Sequence, residues 1–147
     1  MVIAVDFDGT IVEHEYPAIG RERPGAVRVL RRLQDEIPDL RLILWTVREG
    51  DLLDQALRWC EQRDLHFYAV NSNYTDETAA TGVGGGRKVT ADIYIDDRSL
   101  GGIPDWNAIY AMVKNGWTWP QYIAATTRPA PDDAPGRRSL LSRLLGR

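Results

Sequence analysis

Residues 1–10 read MVIAVDFDGT. Residues 2–6 (VIAVD) form a short, apolar, β-branched run of the kind that lies buried in a parallel sheet. The run stops at two carboxylates, Asp6 and Asp8, with Phe7 between them and Gly9 behind. Side chains two apart on a strand leave it on the same side, so both acids face one space beyond the strand tip. Gly9 permits a sharp turn there, which can aim backbone N–H groups at an anion.

Outward from this strand the pattern alternates. Residues 9–23 are polar, with Gly9, Pro17 and Gly20, and are expected to form a loop or flap. Pro24 suits the first turn of a helix running to about residue 36. Its apolar stripe is Val27, Leu30 and Leu33, flanked by Val29 and Ile37, and Pro38 follows its end. Residues 41–45 (RLILW) predict a second buried strand. Leu53, Ala56, Leu57 and Cys60 repeat at helical spacing between Gly50 or Asp51 and residue 63. Residues 66–70 (HFYAV) and 92–96 (DIYID) predict two further strands, separated by a glycine-containing loop over 72–87. A last helix is predicted over 104–115, with Trp117 and Trp119 packing the chain end back on the body. Strands alternating with helices imply an α/β fold with a parallel sheet. Residues 1–127 make the domain, and 128–147 an Arg- and Pro-rich tail expected to be disordered or partly helical.

In open α/β sheets ligands bind beyond the carboxyl ends of the strands. Polar residues follow three of the apolar runs: Asp6 and Asp8, then Thr46, then Asp96 and Asp97, with Lys88 eight residues before Asp96. Clustered carboxylates repel one another and raise each other's pKa, and a hard divalent cation relieves the conflict. All-oxygen ligands beside a phosphate favour Mg²⁺. With Lys88 the cation makes a phosphate pocket. A carboxylate can act as nucleophile at phosphorus while a second handles the leaving-group proton.

These motifs, DFDGT at 6–10, LILWT ending in Thr46, Lys88, and IYIDD ending in Asp96-Asp97, resemble those of the haloacid-dehalogenase-like hydrolase superfamily, in order across residues 2–97. The resemblance implies a Rossmann-like three-layer fold around a central parallel sheet, and Mg²⁺-dependent phosphoryl transfer. It implies Asp6 as nucleophile and metal ligand. Asp8 is then acid and base, with its backbone carbonyl on the metal. Thr46 and Lys88 hold the phosphoryl group, Asp96 ligates Mg²⁺, and Asp97 supports it. An Asp two after the nucleophile is similar to the phosphatase branch. The two places where relatives insert a cap domain are here only residues 11–23 and 72–87, too short for a domain. A capless member is expected, with two flaps at most.

The 147 residues carry a net charge of −3. The tail holds five Arg and two Asp, so residues 1–127 carry −6. An acidic body is a poor fit to duplex DNA, and a small phosphate monoester is the favoured substrate. No apolar run approaches the ~20 residues of a bilayer span. The start lacks the features of a signal peptide, and a single cysteine, Cys60, forms no internal disulfide, so a cytoplasmic location is expected. GVGGGRK at 82–88 does not make a P-loop, because Arg87 separates Gly86 from Lys88 and no Ser or Thr follows. Cys60 reads as a core thiol, and His66, which opens a strand, as a packing or edge residue. His14 is either a substrate contact from the first flap or a solvated loop histidine. Arg48 is either a substrate contact or half of a salt bridge at the start of the second helix. The alternatives to a small-molecule phosphatase are a phosphatase of nucleotides or nucleic-acid ends, and a non-catalytic module engaging a protein partner. Homo-oligomerisation is open.

Overall fold

The structure, a computed structural model, describes residues 1–75 and 89–127. Four parallel strands form one sheet: β1 (Val2–Val5), β2 (Arg41–Leu44), β3 (Ala69–Val70) and β4 (Ile93–Ile95). Their order is β3-β2-β1-β4, with Val5 opposite both Leu44 and Ile95, and Leu44 opposite Val70. This is the Rossmann-like α/β arrangement, without a cap. It places the carboxyl ends of all four strands along one edge.

Burial alternates along the strands as the pleat requires. Ile3, Val5, Leu42, Leu44 and Ile95 enter the main core. Ala4 and Ile43 turn to the opposite face, where Val89 covers them. Helix α1 (Ala26–Glu36) brings Val27, Val29, Leu30 and Leu33 to the main core. Helix α2 (Gly50–Glu61) brings Ala56 and Cys60, and helix α3 (Trp106–Asn115) brings Trp106, Ile109 and Val113. These three helices therefore share one face, and no helix among the described residues covers the other. A buried, unpaired thiol is hard to ionise, and burial pushes Cys60 up to about 12.

The helix ends carry their local causes. Helix α1 begins after Gly25, at φ 88°, so Pro24 stands in the preceding turn rather than in the first helical turn. Asp105 caps α3 by accepting from the N–H groups of Asn107 and Ala108, and Gly116 ends it at φ 63°. Helix α4 (Trp119–Thr126) occupies a stretch expected only to fold back on the body. Pro120 lies in its first turn, and Gln121 reaches back to the Thr118 N–H at 2.8 Å. Trp119 stacks on Tyr122 within this helix, and stays about half exposed. Trp117 does face the body, lining an apolar cavity with Ile93, Ile95 and Met112. Predicted strand 66–70 shrinks to its last two residues.

Residues 11–23 form a short hairpin. Val12 bridges to Glu22, the Glu13 N–H donates to the Arg21 carbonyl at 2.7 Å, and the Arg23 N–H to that of Ile11 at 2.8 Å. Gly20 is required where it sits, since a Cβ there would lie 2.1 Å from the Glu13 carbonyl oxygen. The segment expected as a second flap is described only at its start. There Asn73 exchanges two hydrogen bonds with the Thr90 backbone, at 2.7 and 2.8 Å. Lys88, the glycines at 82–86 and the tail 128–147 lie outside the described residues.

Candidate active site

Adjacent strand ends deliver the side chains. The Asp6 N–H continues the ladder to the Ile95 carbonyl at 2.9 Å, and the Trp45 N–H to that of Val5 at 2.8 Å. Asp6, Thr46 and Asp96 therefore emerge side by side, one residue or two past their strands. With Asp8, His14, Trp45, Val47, Asn71 and Arg98 they line a cleft of about 540 Å³.

Asp6, Asp96 and Asp97 each offer an oxygen, and the three oxygens lie within 4.8 Å of one another. Burial pushes the Asp6 carboxyl up to about 6. The Phe7 N–H and the Thr10 hydroxyl favour its charged form, and the nearby Asp96 and Asp97 charges oppose it. Asp97 Oδ1 is buried with no hydrogen-bond partner among the described residues. A buried carboxylate oxygen left unpaired is costly. Three hard oxygen donors, with an orphaned oxygen on one of the three residues, suit a small divalent cation such as Mg²⁺.

Thr10 braces this group, a role the sequence reading passed over. Its hydroxyl donates to Asp6 Oδ2 at 3.0 Å and accepts from the Asp97 N–H at 2.9 Å, tying β1 to β4. Gly9 matters for space rather than for anion binding. Its N–H donates to the Val12 carbonyl at 2.8 Å, so it is not a free phosphate donor. A Cβ on Gly9 would instead lie 2.3 Å from Asp97 Oδ2.

Thr46 is held by Asn71, another residue the sequence reading missed. The Asn71 amide accepts from the Thr46 N–H and donates to the Thr46 carbonyl, both at 2.8 Å. Asn71 thus extends the β2–β3 pairing one step with a side chain, in a left-handed conformation at φ 49° that Asn tolerates. The Thr46 hydroxyl accepts from the Arg48 N–H at 3.2 Å, which leaves its own proton free to donate into the cleft.

Of the four carboxylates at the strand tips, Asp8 alone stays out of the cluster while still lining the cleft. Its carboxylate is not in the acidic triad. Both oxygens accept from Arg48, Oδ2 from Nε at 2.7 Å and Oδ1 from Nη2 at 2.6 Å. Its backbone carbonyl is the donor it would offer a cation, and His14 Nδ1 stands 3.4 Å from it. Arg48, two residues before α2, is half of a salt bridge, the second of its two expected roles, and its partner is Asp8. Arg48 is fully buried beneath the cleft. His14 is exposed and does line the cleft.

No protein-family model matches the chain, and no curated protein does. A solved structure described as that of a conserved protein coded by a locus of Bacteroides thetaiotaomicron is 53% identical, with a TM-score of 0.76. The match covers 88% of this chain and 98% of that one. On that identity and coverage, this chain belongs to the same protein family as the conserved Bacteroides protein.

Proposed function

We propose that this chain is a Mg²⁺-dependent phosphatase of the haloacid-dehalogenase-like type, acting on a small phosphate monoester. The observation that carries this reading is the convergence of Asp6, Asp96 and Asp97 within 4.8 Å at the ends of β1 and β4, with Thr46 past the end of β2 on the other side of β1. A structural role does not require three carboxylates to be gathered at the mouth of a cleft, where they repel one another. The volume of that cleft suits a compact substrate.

Asp6 attacks phosphorus in line, its O–P bond forming as the ester P–O bond breaks. Asp8 delivers a proton to the departing alkoxide. Asp8 then accepts a proton from water, which attacks the aspartyl-phosphate and releases inorganic phosphate, restoring Asp6. The Thr46 hydroxyl donates to a non-bridging oxygen of the transferring group. Asp6, Asp96 and the Asp8 carbonyl would hold the cation, with Asp97 supporting it. When bound, Mg²⁺ supplies positive charge against the phosphoryl oxygens and relieves the carboxylates' repulsion.

The test is hydrolysis of p-nitrophenyl phosphate by the full chain. Mg²⁺ should sustain turnover, chelator should abolish it, and Ca²⁺ should substitute poorly because its coordination is looser. Rapid acid quench of Asp8→Asn should show one added phosphoryl group by intact mass, mapping to Asp6, and Asp6→Asn should show none. Full turnover in chelator, or an adduct on another residue, would overturn the assignment.

A further inference from the structure

A guanidinium with no solvent exposure needs a reason, because removing that charge from water is costly. Arg48 spends its fork in two directions. Nε and Nη2 grip the Asp8 carboxylate at 2.7 and 2.6 Å. Nη1 donates to the Pro17 carbonyl at 3.0 Å, and Nη2 also donates to the Ala18 carbonyl at 2.8 Å. The rings of Phe7 and Tyr16 flank it at 5.2 and 5.3 Å. Its own backbone N–H holds the Thr46 hydroxyl. Asp8 stands past the end of β1, whereas Pro17 and Ala18 belong to the hairpin 11–23. One side chain thus joins a residue of the site to the element beside it.

We infer that Arg48 is a positioning residue that couples the seating of the hairpin 11–23 to the placement of Asp8. The inference rests on the phosphatase reading for what Asp8 does. Nη2 is shared between Asp8 Oδ1 and the Ala18 carbonyl, so a displaced hairpin moves the fork and the fork moves the carboxylate. His14 carries the same hairpin into the cleft, where a leaving group meets it. Each Asp8 oxygen accepts one bond from Arg48 and keeps a second lone pair, and Asp8 lines the cleft, so the fork fixes how the carboxylate is presented there. Lysine keeps the charge but lacks the fork that binds two partners at once.

The kinetic test compares Arg48→Lys with wild type on a series of phosphate monoesters, from p-nitrophenyl phosphate to alkyl phosphates. An aryl leaving group departs with little need of a proton, and an alkoxide needs one. Misplacing Asp8 should therefore lower the alkyl-to-aryl ratio of kcat/KM on the order of a hundredfold, the scale of general acid catalysis. An unchanged ratio, with or without a uniform loss of rate, would overturn the positioning role. The second test needs no folded Arg48 variant. In Asp8→Asn, amide hydrogen exchange of residues 14–20 should quicken about tenfold, a local opening made easier by roughly 1.4 kcal/mol, while the amides of β1 and α1 keep their wild-type rates. Unchanged exchange in the hairpin would overturn the coupling. Inactivity of the wild-type chain toward the whole series would overturn the phosphatase reading and the role of Asp8 with it. The exchange measurement would then still decide whether Arg48 links Asp8 to the hairpin.

Discussion

Asp6 and Asp8 stand two residues apart and meet opposite electrostatic surroundings. Asp6 is half-buried among other acids, and its ionised form is disfavoured up to about pH 6. Asp8 is buried against a guanidinium that engages both its oxygens. Removing the two charges should therefore have opposite effects on the metal-free protein at pH 7.5. Asp6→Asn relieves the repulsion, and its side-chain oxygen can still accept from Thr10, so stability should rise. Asp8→Ala strands a buried cation and should cost about 3–5 kcal/mol. Urea denaturation in chelator measures both, and the same sign for the two variants would contradict the charge assignment.

At the scale of elements, the site depends on loops held close to their strands. Gly9 lets β1 turn directly beneath Asp97, at φ 94°. Gly9→Ala should push Asp97 aside and lower Mg²⁺ affinity about tenfold or more, roughly 1.4 kcal/mol, as titration calorimetry would show. Strands β1 and β2 were legible because a buried parallel strand is a plain apolar run, and the edge strand β4 because its two isoleucines flank an exposed Tyr94. The run HFYAV was harder to read: the Tyr68 N–H still bonds to the Leu42 carbonyl, but regular pairing holds only at Ala69 and Val70. The acids at the strand tips were legible for the converse reason, as charge where packing has no use for it. The salt bridge of Arg48 was legible but its partner was not, because Asp8 lies forty positions away and sequence spacing carries no sign of such a pair. Asn71 was invisible because an amide mimicking a β-bridge has no periodicity. Helix α4 did carry a signal, Thr118 with Gln121 three residues on and Pro120 between, and it was passed over for the tryptophans.

For the molecule as a whole, Asp6 gives stability a pH dependence of known sign. Burial holds its carboxyl at about 6 in the folded chain, above the 3.8 of a freely exposed aspartate. Such a group stabilises the fold at low pH and loses that contribution as pH rises through about 6. Metal-free protein should lose the Asp6 contribution between pH 4 and 6. Added Mg²⁺ should raise Tm more at pH 7.5 than at pH 4.5, because it binds the ionised carboxylates. Equal Mg²⁺ shifts at the two pH values, by scanning calorimetry, would contradict this. A chain ending at residue 127 should keep the small-substrate turnover of the full chain within about tenfold, or 1.4 kcal/mol, since Asp6, Asp8, Thr46, Lys88, Asp96 and Asp97 all precede that point.

Cys60 offers a way to watch the fold breathe. It is the chain's single thiol, and it lies on the buried face of α2 with its ionisation pushed up to about 12. A chromogenic disulfide reagent reaches it only when α2 lifts from the sheet, so each reaction event counts one opening. The native protein thus carries a built-in clock that needs no engineered label. Its rate, followed with and without Mg²⁺, tells whether cation binding at the strand tips tightens the helix layer on the far side of the strands' length or leaves it to move on its own.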